Sequence, residues 1–135
     1  MGELKRMSTR ALELQCAAID EFRRAPVRDI AEKGLWEELL KTLRSLSDNS
    51  AESDGTSSRA DFISKFHICL KEAREALQLL RVLLHATPAR ARQLGALERS
   101  CDAIVAILVS SLKTAKANQT AEDARKRRNK RPQTE

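Results

Sequence analysis

The chain has 135 residues and a formal net charge of +6 at pH 7, with 41% apolar and 33% charged residues. This length suits one domain around a single core, and the few Gly (4) and Pro (3) residues exclude a fold rich in strands and turns. No apolar run approaches the length of about 20 residues that crosses a bilayer, and the first residues lack a signal-peptide core, so we expect a cytoplasmic all-α protein without membrane contact.

Two helices are predicted in the first half of the chain. Apolar residues recur at spacings of three and four over residues 4–24, which is the pattern of a helix with one buried side, and Pro26 ends it. Residues 27–34 lack such a pattern and are interpreted as a connection, with one helical turn of its own as an alternative. A second helix is predicted over residues 35–49, and the Ser, Asp, Asn and Gly of residues 47–58 indicate a polar turn.

Two longer helices are predicted over residues 58–86 and 88–118. The first begins at Ser58, whose side chain can cap a helix, and the second begins at Pro88, which a first helical turn tolerates. Because almost nothing connects them, these helices must fold back on each other as an antiparallel hairpin. With the first two helices they predict an antiparallel up-and-down four-helix bundle over residues 1–118.

Residues 119–135 differ from the bundle in composition. They contain no large apolar residue, and a cluster of basic residues lies within them: Arg125, Lys126, Arg127, Arg128, Lys130 and Arg131. A segment of this composition cannot bury a core, so we expect a disordered basic tail, with a helix that persists through residues 121–128 as the alternative. The cluster is the candidate nucleic-acid-binding site, because Lys and Arg release counterions when they neutralise phosphates.

Motifs of enzymes and metal sites are missing from the sequence. It has no glycine-rich phosphate loop, no G-x-S-x-G and no H-E-x-x-H, and its two histidines, His67 and His85, lack the spacing of metal ligands. The cysteines are expected to be buried free thiols: Cys16, Cys69 and Cys101. The acids of the long helices are interpreted as solvated or salt-bridged: Glu72, Glu75, Glu98 and Asp102. We predict a protein that is not an enzyme and that holds no metal or cofactor.

The fourth predicted helix carries a run of apolar residues at positions 104–109, IVAILV. The run covers more than one turn and leaves no polar side, whereas a helix of a bundle buries only one broad face. We therefore predict self-association. The predicted oligomer interface consists of Leu79, Val82, Ile107 and Val109. The alternative is a wide core or ordinary scattered surface apolar residues.

Four segments resemble one protein family. They are ELLKTLRSLSDNSAE at residues 38–52, SRADFISK at residues 58–65, LKEARE at residues 70–75 and ILVSSLKTAKAN at residues 107–118. These resemble the small bacterial four-helix-bundle proteins encoded in intervening sequences of the 23S ribosomal RNA gene, over residues 35–118. That family is similar in fold to the accessory variability determinant of diversity-generating retroelements, a pentamer that binds nucleic acid and a reverse transcriptase. The resemblance implies a homopentamer and, by analogy, a reverse-transcriptase partner.

Two functions fit these observations. In the first, a non-enzymatic homo-oligomer binds RNA or DNA with weak sequence specificity through its basic surface and tail, and several tails act together. In the second, the oligomer is a protein-interaction or scaffold module and the basic tail is incidental. We expect the first function, and the second is kept as the alternative because the tail lacks the aromatic residues that would stack single-stranded bases.

Overall fold

The computed structural model describes residues 6–130. In this range the elements are α1 Met7–Arg24, α2 Ile30–Ser53, α3 Arg59–Ala86, a 3-10 turn Pro88–Arg90, and α4 Ala91–Lys130. Each helix packs against two neighbours, in the pairs α1–α2, α2–α3, α3–α4 and α1–α4, whereas the backbones of the diagonal pairs do not come close within residues 6–130. The predicted all-α four-helix bundle is confirmed. No helix in this part of the chain is both long and apolar enough to span a membrane.

The core is formed by one apolar side of each helix. The predicted stripes of α3 and α4 face inward, and several of their side chains are fully buried: Cys69, Leu80, Leu83, Leu94, Cys101 and Leu108. From α2, the fully buried side chains are Trp36, Leu39, Leu43 and Leu46. Burying one Leu or Phe side chain stabilises a fold by about 1.5–3 kcal/mol, so these stripes are the main source of stability.

α2 begins five residues earlier than predicted, at Ile30 instead of residue 35. The Asp29 side chain accepts a hydrogen bond from the Glu32 backbone N–H at 2.8 Å, and the Glu32 side chain accepts one from the backbone N–H of Arg28 at 3.1 Å. These two capping hydrogen bonds start the helix before Gly34, so the glycine lies inside α2. A side chain at this position would meet no other atom within 4 Å.

α2 also ends later than predicted, at Ser53, so the predicted polar turn is helical up to this residue. Ser47, Ser50 and Ser53 recur every third residue, and all three are buried. The Ser53 hydroxyl donates to the Ser50 carbonyl at 2.6 Å, and Ser50 Oγ lies 3.6 Å from Cys69 Sγ. Because small hydroxyl side chains can bond locally, they enter the interior without leaving unpaired polar groups.

α4 continues to Lys130, so the prediction of a disordered tail is wrong for residues 119–130, and the alternative of a persisting helix through residues 121–128 holds. The sequence has no Gly or Pro over residues 96–131, and Ala, Glu, Arg and Lys are strong helix formers. Intrinsic propensity therefore carries the helix past the last buried residue, although nothing there joins the core. Arg131 lies outside the described residues.

Arg90 connects three helix ends at one end of the bundle. Its side chain is only 11% exposed, donates to Glu21 Oε1 at 3.1 Å and to the Glu21 carbonyl, and lies 3.6 Å from Glu32 Oε1. The guanidinium carbon is 5.2 Å from the centroid of the Trp36 ring, within the range of a cation–π contact. Glu21 is near the end of α1 and Glu32 is in the first turn of α2, so one arginine ties both to the start of α4.

Two of the three cysteines are buried as predicted, and the third is not. Cys69 and Cys101 lie in the core, and burial raises the pKa of both thiols, for Cys101 to about 12. Cys16 is exposed, which corrects the prediction. It lies between the buried positions Leu14 and Ala18, so the stripe of α1 passes it on the opposite side.

Candidate nucleic-acid interface

α4 extends beyond α3 at the end of the bundle opposite Arg90. It has 40 residues against 28 in α3. At a rise of about 1.5 Å per residue, these lengths are about 60 Å and about 42 Å. Arg59, the first residue of α3, forms an ion pair with Glu122, which marks where the two helices part. We call the projecting residues 123–130 the overhang.

The overhang concentrates positive charge on solvent-exposed side chains. It holds five of the six predicted site residues, Arg125, Lys126, Arg127, Arg128 and Lys130, all of them exposed. Asp123 is the single acid there, which leaves a net charge of +4 on eight residues. Lys126 pairs with Glu122 at 3.4 Å, whereas the other four basic residues have no ion pair within the described part of the chain.

The basic residues lie on different sides of the overhang. A spacing of three and four continues from the bundle along one side through Ser111, Thr114, Asn118, Ala121, Arg125 and Arg128. Another side continues the core-facing stripe of α4 through Ala115, Gln119, Glu122, Lys126 and Lys130. The overhang therefore offers two pairs of cations with equal charge and different orientation.

A cavity of about 350 Å³ lies between the start of α3 and α4, next to the overhang. Its lining consists of Arg59, Phe62, Ser110, Ser111, Thr114, Ala115 and Asn118, and we call it the α3–α4 groove. Leu14 and Ile104 line a common cavity between α1 and α4. Because those helices are antiparallel, Met7 at the start of α1 is level with about Ser111, and α1 does not cover α4 beyond it.

One member of an aromatic pair, Phe62, lines the α3–α4 groove. The Phe62 and Phe66 rings have centroids 4.1 Å apart and are tilted by 35°. Phe66 is buried and Phe62 is half-buried, so Phe62 separates the core from the groove. The basic segment itself has no aromatic residue. The fold supplies one nearby, since it places Phe62 of α3 in the groove next to the overhang.

The four predicted interface residues differ in exposure. Val82 and Val109 are 39% and 41% exposed, whereas Leu79 and Ile107 are partly buried against the core. Ile107 and Val109 are two residues apart, about 200° around the helix, and so lie on different sides of α4. In the run at 104–109, the side chains in or against the core are Ile104, Val105, Ile107 and Leu108. The bundle itself thus takes up most of this run.

A polar cluster lies in the seam between α2 and α3. Glu72 is half-buried and accepts hydrogen bonds from Ser45 Oγ at 2.5 Å and from Asn49 Nδ2 at 3.1 Å. Glu72 thus stays partly exposed and has hydrogen bonds, but no ion pair, to other side chains of residues 6–130. Arg81 Nε lies 4.0 Å from Glu98 Oε2, in agreement with the prediction that Glu98 is salt-bridged. No group of His, Cys, Asp or Glu in residues 6–130 could hold a metal ion.

Comparison with solved structures finds a relative in fold. The chain is similar to a protein of unknown function from the S23 ribosomal protein family of Bacteroides thetaiotaomicron, with a TM-score of 0.65. The alignment covers 79% of this chain and 98% of that chain at 24% sequence identity, a level that shows the fold alone. No protein-family model and no curated protein matches the sequence.

Proposed function

We propose that this protein is not an enzyme and that it binds nucleic acid through the overhang of α4. The observation that carries the proposal is the set of exposed basic side chains on a helix that projects past the bundle, of which Arg125, Arg127, Arg128 and Lys130 have no ion pair within residues 6–130. Such charges are free to neutralise phosphates. Binding of this kind depends on the polyanion and not on its sequence, and it weakens steeply as salt rises.

Truncation after Asp123 tests the proposal. This variant keeps Glu122 and its ion pair with Arg59, and it removes every residue of the predicted basic site. At about 50 mM salt, where electrostatic association is strong, we expect the full chain to bind RNA and DNA oligonucleotides and the truncated chain to bind at least about tenfold more weakly.

The salt dependence of the affinity is a second measurement on the same two chains. The slope of log K against log salt is about −0.9 for each phosphate neutralised on a duplex, so loss of the overhang should flatten it. A full chain that binds no nucleic acid at low salt would contradict the proposal. Unchanged binding by the truncated chain would do so as well.

We also propose that the protein acts as a homo-oligomer, with a pentamer as the form implied by the family resemblance. Exposure of Val82 and Val109 supports a contact between copies, and several overhangs in one particle would raise the affinity for a long polyanion. Light scattering of the purified chain measures the assembly. Val109→Glu should dissociate it, because the interface would then bury an unpaired charge.

A protein-interaction module is the second candidate, with a reverse transcriptase as the partner suggested by analogy. It is supported by large apolar side chains that stay exposed outside the core: Leu12, Ile30, Ile68, Val82 and Val109. The absence of polyanion binding by the full chain at low salt would favour this candidate over nucleic-acid binding.

A further inference from the structure

We infer that the ligand of the overhang is single-stranded nucleic acid and that the α3–α4 groove receives one of its bases. This inference rests on the proposed function and adds a ligand class to it. It starts from the juxtaposition of three features that are distant in the sequence: an aromatic wall, a polar lining and a basic helix.

The α3–α4 groove has the chemistry that an unstacked base requires. Phe62 supplies an aromatic side chain, and base–aromatic stacking tolerates any base because each has a π-face. The lining residues Ser110, Ser111, Thr114 and Asn118 carry hydroxyl or amide groups, which both donate and accept hydrogen bonds, as base edges do. The volume of about 350 Å³ is in the range of sites for small organic groups.

The groove and the overhang lie along one line of α4. Thr114 and Asn118 line the groove, and Arg125 and Arg128 continue the same side of the helix. From Asn118 to Arg125 the helix rises by about 10 Å, which is a distance of a few nucleotides along a flexible strand. A strand with its base in the groove therefore has its backbone beside these arginines.

Duplex nucleic acid cannot use both features. Its bases are stacked and paired, so duplex binding is limited to phosphate contacts by the overhang. The structure therefore assigns a preference for single strands over duplexes with the same number of phosphates, beyond the electrostatic attraction that both receive.

The test uses the full chain and fluorescence anisotropy with a labelled single strand of about 15 nucleotides, a duplex with the same phosphate count and an abasic single strand. We expect the normal single strand to bind about fivefold or more tightly than the abasic strand at equal salt. Phe62→Leu should abolish that advantage and leave duplex affinity unchanged. Phe22→Leu is the matched control, since Phe22 is half-buried against Trp36 at the other end of the bundle.

Ser111→Leu provides an independent variant, because Ser111 lines the groove and is only half-buried, so a larger side chain has room there. The larger side chain fills the groove without changing charge, so it should also abolish the single-strand advantage. If Phe62→Leu does not fold, this variant still tests whether the groove receives a base.

The two pairs of cations on the overhang give a charge-matched comparison. Arg125→Gln with Arg128→Gln should weaken single-strand binding several-fold more than Lys126→Gln with Lys130→Gln, because only the arginines continue the groove side. Equal affinity for normal and abasic strands would overturn the inference and leave the proposed function standing. A wild-type chain that binds no nucleic acid would overturn both.

Discussion

The two ends of the bundle use the same residue types for opposite purposes. At one end Arg90 is buried between Glu21 and Glu32, and its charge is compensated by both carboxylates. At the other end the basic residues of the overhang are exposed, and Arg125 and Arg128 have no ion pair within residues 6–130. An arginine surrounded by acids stabilises the fold, whereas an arginine on a projecting helix is free to bind a ligand. Whether an arginine stabilises the fold or can bind a ligand therefore depends on its burial and its ion pairs more than on its residue type.

Arg90→Met should destabilise the fold more than any other single substitution considered for these two ends. The variant leaves Glu21 and Glu32 buried without their shared partner, and loss of one member of a buried ion network costs about 3–5 kcal/mol. Urea denaturation should therefore show a large fall in the free energy of unfolding. Arg92→Met is the control, because Arg92 is exposed in the first turn of α4 and its loss should cost less than about 0.5 kcal/mol.

A second change tells whether the cost comes from unpaired charge or from lost packing. Glu21→Gln and Glu32→Gln, combined with Arg90→Met, remove all three charges and should recover much of the stability. If Arg90→Met alone were as harmless as the Arg92 control, the buried network would not hold this end together.

The thiols show the same difference between interior and surface. The pKa of Cys101 is raised from 9.0 to about 12 by burial, so the folded state holds the thiol proton more tightly than the unfolded state. This contribution is complete below pH 9 and is lost as the pH rises from 9 to about 12. The expected loss is about 1.4 kcal/mol per pH unit in that window. Burial raises the pKa of Cys69 in the same direction.

Cys101→Ala is the control for alkaline unfolding. The wild type and this variant both contain many lysines, so only the difference between their free energies of unfolding isolates the thiol. That difference should shrink from pH 9 upward. In the native wild type a thiol reagent should modify Cys16 at once and the two buried thiols only on unfolding. Rapid reaction of all three would contradict the buried positions.

Local patterns in the sequence were sufficient for the helices with long apolar stripes. The stripes of α3 and α4, the Ser58 cap and the antiparallel hairpin could be read from spacing alone, and Ser58 Oγ does accept from the Asp61 N–H at 3.1 Å. The start of α2 was missed, although Asp29 and Glu32 form a recognisable capping pair. Gly34 lies just after this pair, and because glycine favours the end of a helix, the pattern predicts a start after it.

The features at the two ends could not be predicted in this way. Glu21 and Arg90 are 69 positions apart, and Phe62 reaches the groove only because α3 and α4 are antiparallel. Nothing in either neighbourhood of the sequence marks these contacts, since they depend on which helix ends meet. The basic cluster was found from composition, and helicity through residues 121–128 was one of two alternatives for it. The sequence could not choose between them or show the two sides of the overhang, because a polar segment without a stripe gives no periodic signal.

The smallest predicted effect concerns the anchor of the overhang. Arg59 and Glu122 are 38% and 31% exposed, so their ion pair is screened by solvent and should contribute only about 0.2–1 kcal/mol in a double-mutant cycle with Gln at both positions. The coupling should fall as salt rises. Because Arg59 also lines the α3–α4 groove, Arg59→Gln should weaken single-strand binding more than Glu122→Gln does. Equal effects of the two variants on binding would mean that Arg59 acts only as an anchor, with its guanidinium away from the strand.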